Sequence, residues 1–272
     1  MSGQLPDLGL CQPLVMGIIN VTPDSFSDGG LYASTESALR HAARLIEEGA
    51  DLLDIGGEST RPGGIPVSVR EELHRIIPVV RALTSMNISV SVDTSKPEVM
   101  RAAIKAGAAM INDVNALRAP GALEAIAEGG VAACLMHMRG DPLSMQANPQ
   151  YNDAVAEVKD FLRQRLNAAQ AAGISREKLV IDPGFGFGKT LEHNIELLRH
   201  LDRFTGMGVP VLVGLSRKSM LGKITGNEVG DRIHASVAAA LLARIKGARI
   251  LRVHDVKATR DALAVYDAVN MV

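Results

Sequence analysis

Aromatic side chains are scarce in this sequence. Of 272 residues only 3% are aromatic, with no Trp, three Tyr and five Phe. A large core must then be built from Leu, Ile, Val, Ala and Met, and the position of each Phe becomes informative. Cysteine is nearly absent. Cys11 and Cys134 are too few for a disulfide framework and too far apart for a cysteine zinc site, so two reduced, buried thiols are expected. An excess of either charge is also missing. A formal net charge of −1 lacks the basic surplus of a nucleic-acid binder and the acidic surplus of a solvating tail, so no nucleic-acid partner is expected. No apolar run approaches the ~20 residues of a membrane span. The longest candidate, 235–243, is followed by Arg244 and Lys246, so no membrane partner is expected. Met1 to Gly9 carries no basic region followed by an apolar one, which makes the cytoplasm the expected location.

What is present is a rhythm. Short apolar runs at 14–19, 52–55, 88–92, 109–111, 131–136, 179–181, 211–215 and 250–253 alternate with longer segments of helical character. The eight runs are rich in Val, Ile and Leu and lack polar alternation, as strands buried on both faces of a parallel sheet do. Between them, 36–48 places Ala38, Ala42, Leu45 and Ile46 on one helical face, with Ser34-Thr35 as the expected cap. Ser95-Lys-Pro-Glu98 reads as an N-cap followed by a first-turn proline. Gly49, Gly107 and Gly247 each stand between a helical segment and an apolar run, a repeated helix-to-strand junction. Eight β/α units predict an α/β fold, a single-domain (β/α)8 TIM barrel over 1–272 with the barrel proper about 14–270. A doubly wound sheet is the alternative, and no G-x-G-x-x-G follows the first run.

In such barrels the active site lies at the C-terminal ends of the strands. Every run ends there in a polar residue: Asn20, Asp54, Asp93, Asn112 with Asp113, His137, Asp182, Ser216-Arg-Lys218, and Arg252 with His254-Asp255. Asp93, Asn112 and Asp182 suit a flat heterocycle with adjacent N–H donors and a carbonyl. Lys218, Arg252 and His254 suit phosphate or diphosphate. Glycine-rich loops after runs one and two, 22–30 and 58–64, have the polar composition of lids that exclude water. A third, 182–189, follows run six.

Seven collinear motifs then fall into one pattern: Asn20-Val-Thr-Pro-Asp-Ser-Phe-Ser-Asp-Gly-Gly30, Gly56-Gly-Glu-Ser-Thr-Arg-Pro-Gly63, Val92-Asp-Thr-Ser95, Ile111-Asn-Asp113, Asp182-Pro-Gly-Phe-Gly-Phe-Gly188, Ser216-Arg-Lys-Ser219 and Arg252-Val-His254. Together they resemble the dihydropteroate synthases. The resemblance implies a (β/α)8 transferase of folate biosynthesis that joins 6-hydroxymethyl-7,8-dihydropterin diphosphate to 4-aminobenzoate. It further implies Mg²⁺ as cofactor, a homodimer and inhibition by sulfonamides. Carried over position by position, it implies that Asp93, Asn112, Asp182 and Lys218 hold the pterin and that Arg252 and His254 hold diphosphate. Asn20 would contact Mg²⁺, and Asp28 and Arg61 would close over the reacting centre. Thr60, Pro62, Phe187 and Ser219 would shape the 4-aminobenzoate pocket. A pterin-binding methyltransferase-type barrel shares the Asp93, Asn112 and Asp182 set, and a non-catalytic pterin-binding paralogue is the alternative of a different class.

Some positions stay open. Asp54 is either a pterin contact or a support, His137 a pocket or a core residue, Met136 a pterin contact or core filler. Asp24 serves metal and diphosphate or shapes a turn, and Asp113 is expected to face away from the pocket. His193 reads as a surface or core residue on a helix, Arg163 and Arg165 as the solvated face of an amphipathic helix, and the apolar helix 233–245 as a subunit interface. Phe26, Phe185 and Phe187 are expected to grip the flat substrate.

Overall fold

The computed structural model describes residues 6, 12–21, 30–59, 64, 66–141 and 144–270, apart from the side chains of 30–34. Strand and helix alternate through it. β1 (Leu14–Asn20) leads to α1 (Gly30–Glu47), β2 (Leu52–Gly56) to α2 (Val69–Ser85), and β3 (Val90–Asp93) to α3 (Pro97–Lys105). β4 (Met110–Asp113) leads to α4 (Ala122–Gly129) and β5 (Ala132–Met136) to α5 (Ala154–Ala171). β6 (Leu179–Asp182) precedes α6 (Leu191–Arg199) and α7 (Asp202–Thr205). β7 (Leu212–Val213) precedes α8 (Ser219–Thr225) and α9 (Ile233–Ile245), and β8 (Ile250–Val253) precedes α10 (Val256–Asn270). The strands pair in parallel in the order β6-β5-β4-β3-β2-β1-β8-β7. A single bridge, Ile181 to Val211, joins the two ends of that order. The expected (β/α)8 barrel is therefore the observed fold.

Strand alternation explains the unbroken apolar runs. Val15, Ile19, Leu53, Ile55, Val92, Ile111, Leu135 and Ile181 pack outward in the layer shared with the helices. Leu14, Met16, Leu52, Met110, Ala132, Cys134, Val180, Leu212 and Ile250 point inward and form a separate apolar plug. Both faces are buried, at about 1.5–3 kcal/mol for each large aliphatic side chain. The inward positions above the plug are the ones that can line a site.

Gly49, Gly107 and Gly247 all adopt positive φ (98°, 101° and 93°) where a helix turns into β2, β4 and β8, as their spacing foretold. Other local expectations are corrected. α1 begins at Gly30, six residues before Glu36, so Ser34-Thr35 lies inside the helix rather than capping it. Lys96, not Ser95, is the N-cap of α3, and its side chain makes no capping bond; Pro97 at the first turn supplies the start. β7 is only two residues long, and a turn at 216–217 follows it. His193 is a structural residue, as its helical position foretold. It completes a capping box with Thr190 and meets Tyr151 edge-on at 4.8 Å. Arg165 does not belong to a solvated face, since it donates to the carbonyls of Ala116 and Leu117 at 2.8 and 3.1 Å.

Candidate active site

Register places the polar strand ends in one layer. Asp93 is paired in register with Gly56 and with Asn112, Met136 with Asp182, and Arg252 with Met16. All share the inward register of the plug below, so Asp54, Asp93, Asn112, Met136, Asp182 and Arg252 converge above it. Two glycines keep that layer open. A Cβ on Gly56 would lie 3.6 Å from Asp93 Cβ and 3.9 Å from Asn20 Oδ1, and one on Gly214 would lie 3.8 Å from the Arg252 stem.

Arg252 organises the centre. Its Nε donates to Asp54 Oδ2 at 2.6 Å and its Nη2 to Asp93 Oδ2 at 2.9 Å. Asn112 Nδ2 donates to the same Asp54 oxygen at 3.0 Å. Asp54 is fully buried, so its open alternative resolves to the support, one that anchors two neighbours of the pocket. Among the described residues, Asp54 Oδ1 and Asp93 Oδ1 are buried without a hydrogen-bond partner. At Asp93, a buried acceptor in want of a donor is what the N–H groups of a pterin would satisfy.

The electrostatics follow from burial. Burial pushes Asp93 up to about 7, with Arg252 pulling it down and Asp54 pushing it further up. Burial likewise raises Asp182, against the pull of Lys218. Burial lowers Lys218 to about 8, and Asp182 works in the opposite direction. For Arg252 burial opposes the charge, but Asp54 and Asp93 outweigh it and hold the guanidinium protonated.

Lys218 enters from the loop after β7. Its ammonium donates to the Phe185 carbonyl and lies 4.6 Å from the Phe187 ring centre. Two contacts pin its loop to the β8 end. Arg217, held at φ 58°, pairs with Asp255 at 2.5 and 3.0 Å, and its N–H donates to Ser236 Oγ at 2.9 Å. Ser216 Oγ accepts from the His254 N–H at 3.1 Å and lies 3.0 Å from His254 Nδ1. Ser219 opens α8 and is exposed.

The other expected residues divide. Met136 is buried and packs with Val114, Met138, Met145 and the half-buried Phe187. Phe185 is fully buried in the outer core, so it does not grip a substrate and only its carbonyl reaches the site. Asp113 faces away, as expected, and its carboxylate accepts from the N–H groups of Asn115 and Leu117, both at 2.7 Å. His137 is buried against Lys189 and Phe161, which makes it a core residue. Asp24, Phe26, Asp28, Thr60, Arg61 and Pro62 lie outside the described residues.

Among the described residues the candidate donor for magnesium is the half-buried Asn20 carboxamide beside the open Gly56. Among them no group of three His, Cys, Asp or Glu side chains is placed to hold a metal. A carboxamide of this kind fits an ion that brings diphosphate oxygens as its other ligands.

A family model described as "Pterin binding enzyme" matches residues 16–254. The dihydropteroate synthase of Escherichia coli (strain K12) is 52% identical over 262 residues, covering 96% of this chain and 93% of that protein. The chain belongs to the dihydropteroate synthase family. The Xanthomonas albilineans dihydropteroate synthase with 4-aminobenzoic acid is 58% identical at a TM-score of 0.92, with 97% of this synthase and 95% of that chain covered. The same enzyme in complex with 7,8-dihydropteroate gives 55% identity, a TM-score of 0.90 and coverage of 99% and 97%. The Yersinia pestis enzyme with a sulfonamide drug gives 49%, 0.92, 98% and 96%. No helix among the described residues of this synthase is long and apolar enough to cross a membrane.

Sequence reading named Ser216, Arg217 and Asp255 among the polar strand ends but not the Arg217–Asp255 pair or Ser216 under His254, and it gave Lys189 no role. No signal marked these partners, which lie in loops after different strands.

Proposed function

We propose that this transferase condenses 6-hydroxymethyl-7,8-dihydropterin diphosphate with 4-aminobenzoate, releasing diphosphate and forming 7,8-dihydropteroate. The observation that carries the reading is the ring of Asp93, Asn112 and Asp182 around Arg252, with unpartnered carboxylate oxygens beside a cationic mouth. Asp93, Asn112 and Asp182 take the pterin edge. Lys218 holds the pterin with them, and Arg252 lies against its plane and, with His254, holds the diphosphate. Phe187, Ser219, Thr60 and Pro62 form the 4-aminobenzoate side. Met136 packs beneath the pterin, and Asp28 and Arg61 close the loops over the reacting carbon.

The bond between the pterin methylene and the diphosphate oxygen breaks, and its electron pair leaves with diphosphate. The electron-rich dihydropterin spreads the positive charge left on the methylene. The amine nitrogen of 4-aminobenzoate supplies the pair for the new C–N bond, and its proton passes to solvent. An arylamine is already a competent nucleophile, so no strong general base is needed. Fixed cations aimed at the departing oxygens stabilise charge that grows in the transition state. Asn20 would hold Mg²⁺, which when bound would supply further neutralisation of those oxygens.

The test is diphosphate release, assayed with and without 4-aminobenzoate and with and without Mg²⁺. Release is expected only with the arylamine present, and Asn20→Ala is expected to raise the Mg²⁺ concentration needed for half-maximal rate by about tenfold, the loss of one first-coordination contact. Binding of the pterin without release would favour the methyltransferase-type barrel or the non-catalytic paralogue.

The cytoplasm is the compartment this reading assigns. A homodimer is its quaternary state. α9 leaves Leu242 and Ile245 about half exposed, and with Ile195 and Leu198 of α6 and Ile224 of α8 it borders an apolar groove. Val265 and Val269 of α10 are also exposed. Apolar surface of this extent fits a second copy of the same face. Light scattering is expected to return twice the 28.8 kDa chain mass, and Leu242→Glu to return the monomer.

A further inference from the structure

The loop after β6 has no helix or sheet to hold its shape, yet each carbonyl from Gly184 to Gly188 has a side-chain donor. Lys189 Nζ reaches the carbonyls of Gly184 at 2.8 Å and Phe187 at 3.0 Å. Lys218 takes that of Phe185, Gln146 that of Gly186, and the Tyr151 hydroxyl that of Gly188 at 2.9 Å. The amides are held as well, Gly184 N–H by Asp182 Oδ1 and Gly186 N–H by Asn194 Oδ1, each at 2.7 Å. Gly184, Gly186 and Gly188 alternate at φ 70°, 79° and 61°, which turns successive carbonyls in different directions. A Cβ on Gly184 would collide with the His137 carbonyl oxygen and one on Gly188 with that of Arg139, so the loop lies directly on the end of β5.

We propose that Lys189 is a positioning residue, whose ammonium beneath this loop ties the Gly184 and Phe187 carbonyls to His137 and thereby sets the Phe187 ring against which 4-aminobenzoate is bound. Burial pushes the Lys189 amine well below its ordinary value, with Asp182 opposing, and its charged form has three protons. Besides the two carbonyls, His137 Nδ1 lies 2.9 Å and the His137 carbonyl 3.4 Å away, so four acceptors surround them. Burial, and next the Lys189 charge, push His137 down to about 2, so its ring is neutral and Nδ1 is free to accept. Lys189 is buried and far from contact with solvent anions, which separates it from a phosphate-binding lysine. Lys218 also belongs to this arrangement, since its stem passes 3.3 Å from where a Gly186 Cβ would stand. Asp182 is carried on the end of β6, and the loop reaches its carboxylate only through the Gly184 N–H. Losing Lys189 therefore frees the Phe187 end of the loop more than the pterin end.

The inference rests on the proposed reaction, and its test separates the two. In the full-length chain, Lys189→Met is expected to raise KM for 4-aminobenzoate by about tenfold, the scale of a sub-ångström misplacement of a binding group. Calorimetry is expected to show the pterin diphosphate Kd changed by less than about threefold, and hydrogen exchange at the amides of Gly184, Gly186 and Phe187 is expected to quicken. A KM within about twofold of the parent value, or a KM and Kd that rise in the same proportion, would overturn the positioning role; a tenfold change corresponds to about 1.4 kcal/mol. Should Lys189→Met fail to fold, Tyr151→Phe decides: it keeps the ring and loses only the bond to Gly188, so a KM rise of roughly threefold supports the role, and no rise overturns it. Should the parent protein release no diphosphate, the reaction reading fails alone. The exchange rates then decide, quickened exchange upholding the loop anchor and unchanged exchange rejecting it.

Discussion

Arg252→Ala is expected to lower turnover by at least ~100-fold, the scale of removing one preorganised transition-state contact. The guanidinium is held by two buried carboxylates, Asp54 at 2.6 Å and Asp93 at 2.9 Å, so its position does not depend on the substrate arriving. A group fixed in advance spends little on reorganisation when the diphosphate departs. Arg252→Lys is not expected to restore the rate, because an ammonium lacks the planar fork that reaches both carboxylates. Lys218→Ala and Asp182→Ala are expected to fall in the same range, and near-normal turnover in all three variants would reject the assignment. The acid–base sign is open to measurement too. Burial holds Lys218 at about 8, so its charge is present below that pH and lost above it. The kcat/KM profile is expected to fall on the alkaline side with an apparent value near that figure, since this parameter reports the free enzyme.

Asp54→Ala is expected to destabilise the fold by about 3 kcal/mol, the low end for removing one partner of a buried ion pair, because Asp93 still pairs with Arg252. Asp54 is fully buried and accepts from both Arg252 and Asn112 through one oxygen. Its removal leaves the Arg252 Nε and the Asn112 amide without an acceptor in the barrel interior. Urea unfolding measures the effect as a lower midpoint at unchanged slope. A loss below about 1 kcal/mol, the range of an exposed pair, would show that the network contributes little. The pterin diphosphate affinity of the folded variant is expected to fall as well, since Asn112 and Arg252 both lose their anchor.

The barrel was legible because burial on both faces writes itself into the sequence as aliphatic-rich runs, and a polar residue stands at or near the end of each where its strand meets the mouth. That is why Asp93, Asn112, Asp182 and Arg252 stand out before any coordinates are known. Strand edges were less legible. Around Asp93 and Asp113 the ladder continues through the polar residue, and after Val213 it stops early despite an apolar Leu215. Hydrogen bonding across neighbouring strands decides those ends, and no single strand encodes it. The supports were hidden for the same reason. Asp54 binds a residue 198 positions away, Arg217 one 38 positions away, and Lys189 a histidine 52 positions back. The Phe positions mislead in one case: Phe185 and Phe187 are two residues apart in a glycine-rich loop, yet alternate glycines at positive φ send one ring into the core and leave the other at the mouth.

The single bridge between Ile181 and Val211 bears on more than strand order. It makes the ring of strands a coil whose two ends barely touch, with Asp182 at one lip and the Lys218 loop at the other. In the proposed complex a pterin held by both would span that gap as a rung of its own, and free substrate would then stabilise the closed ring by mass action.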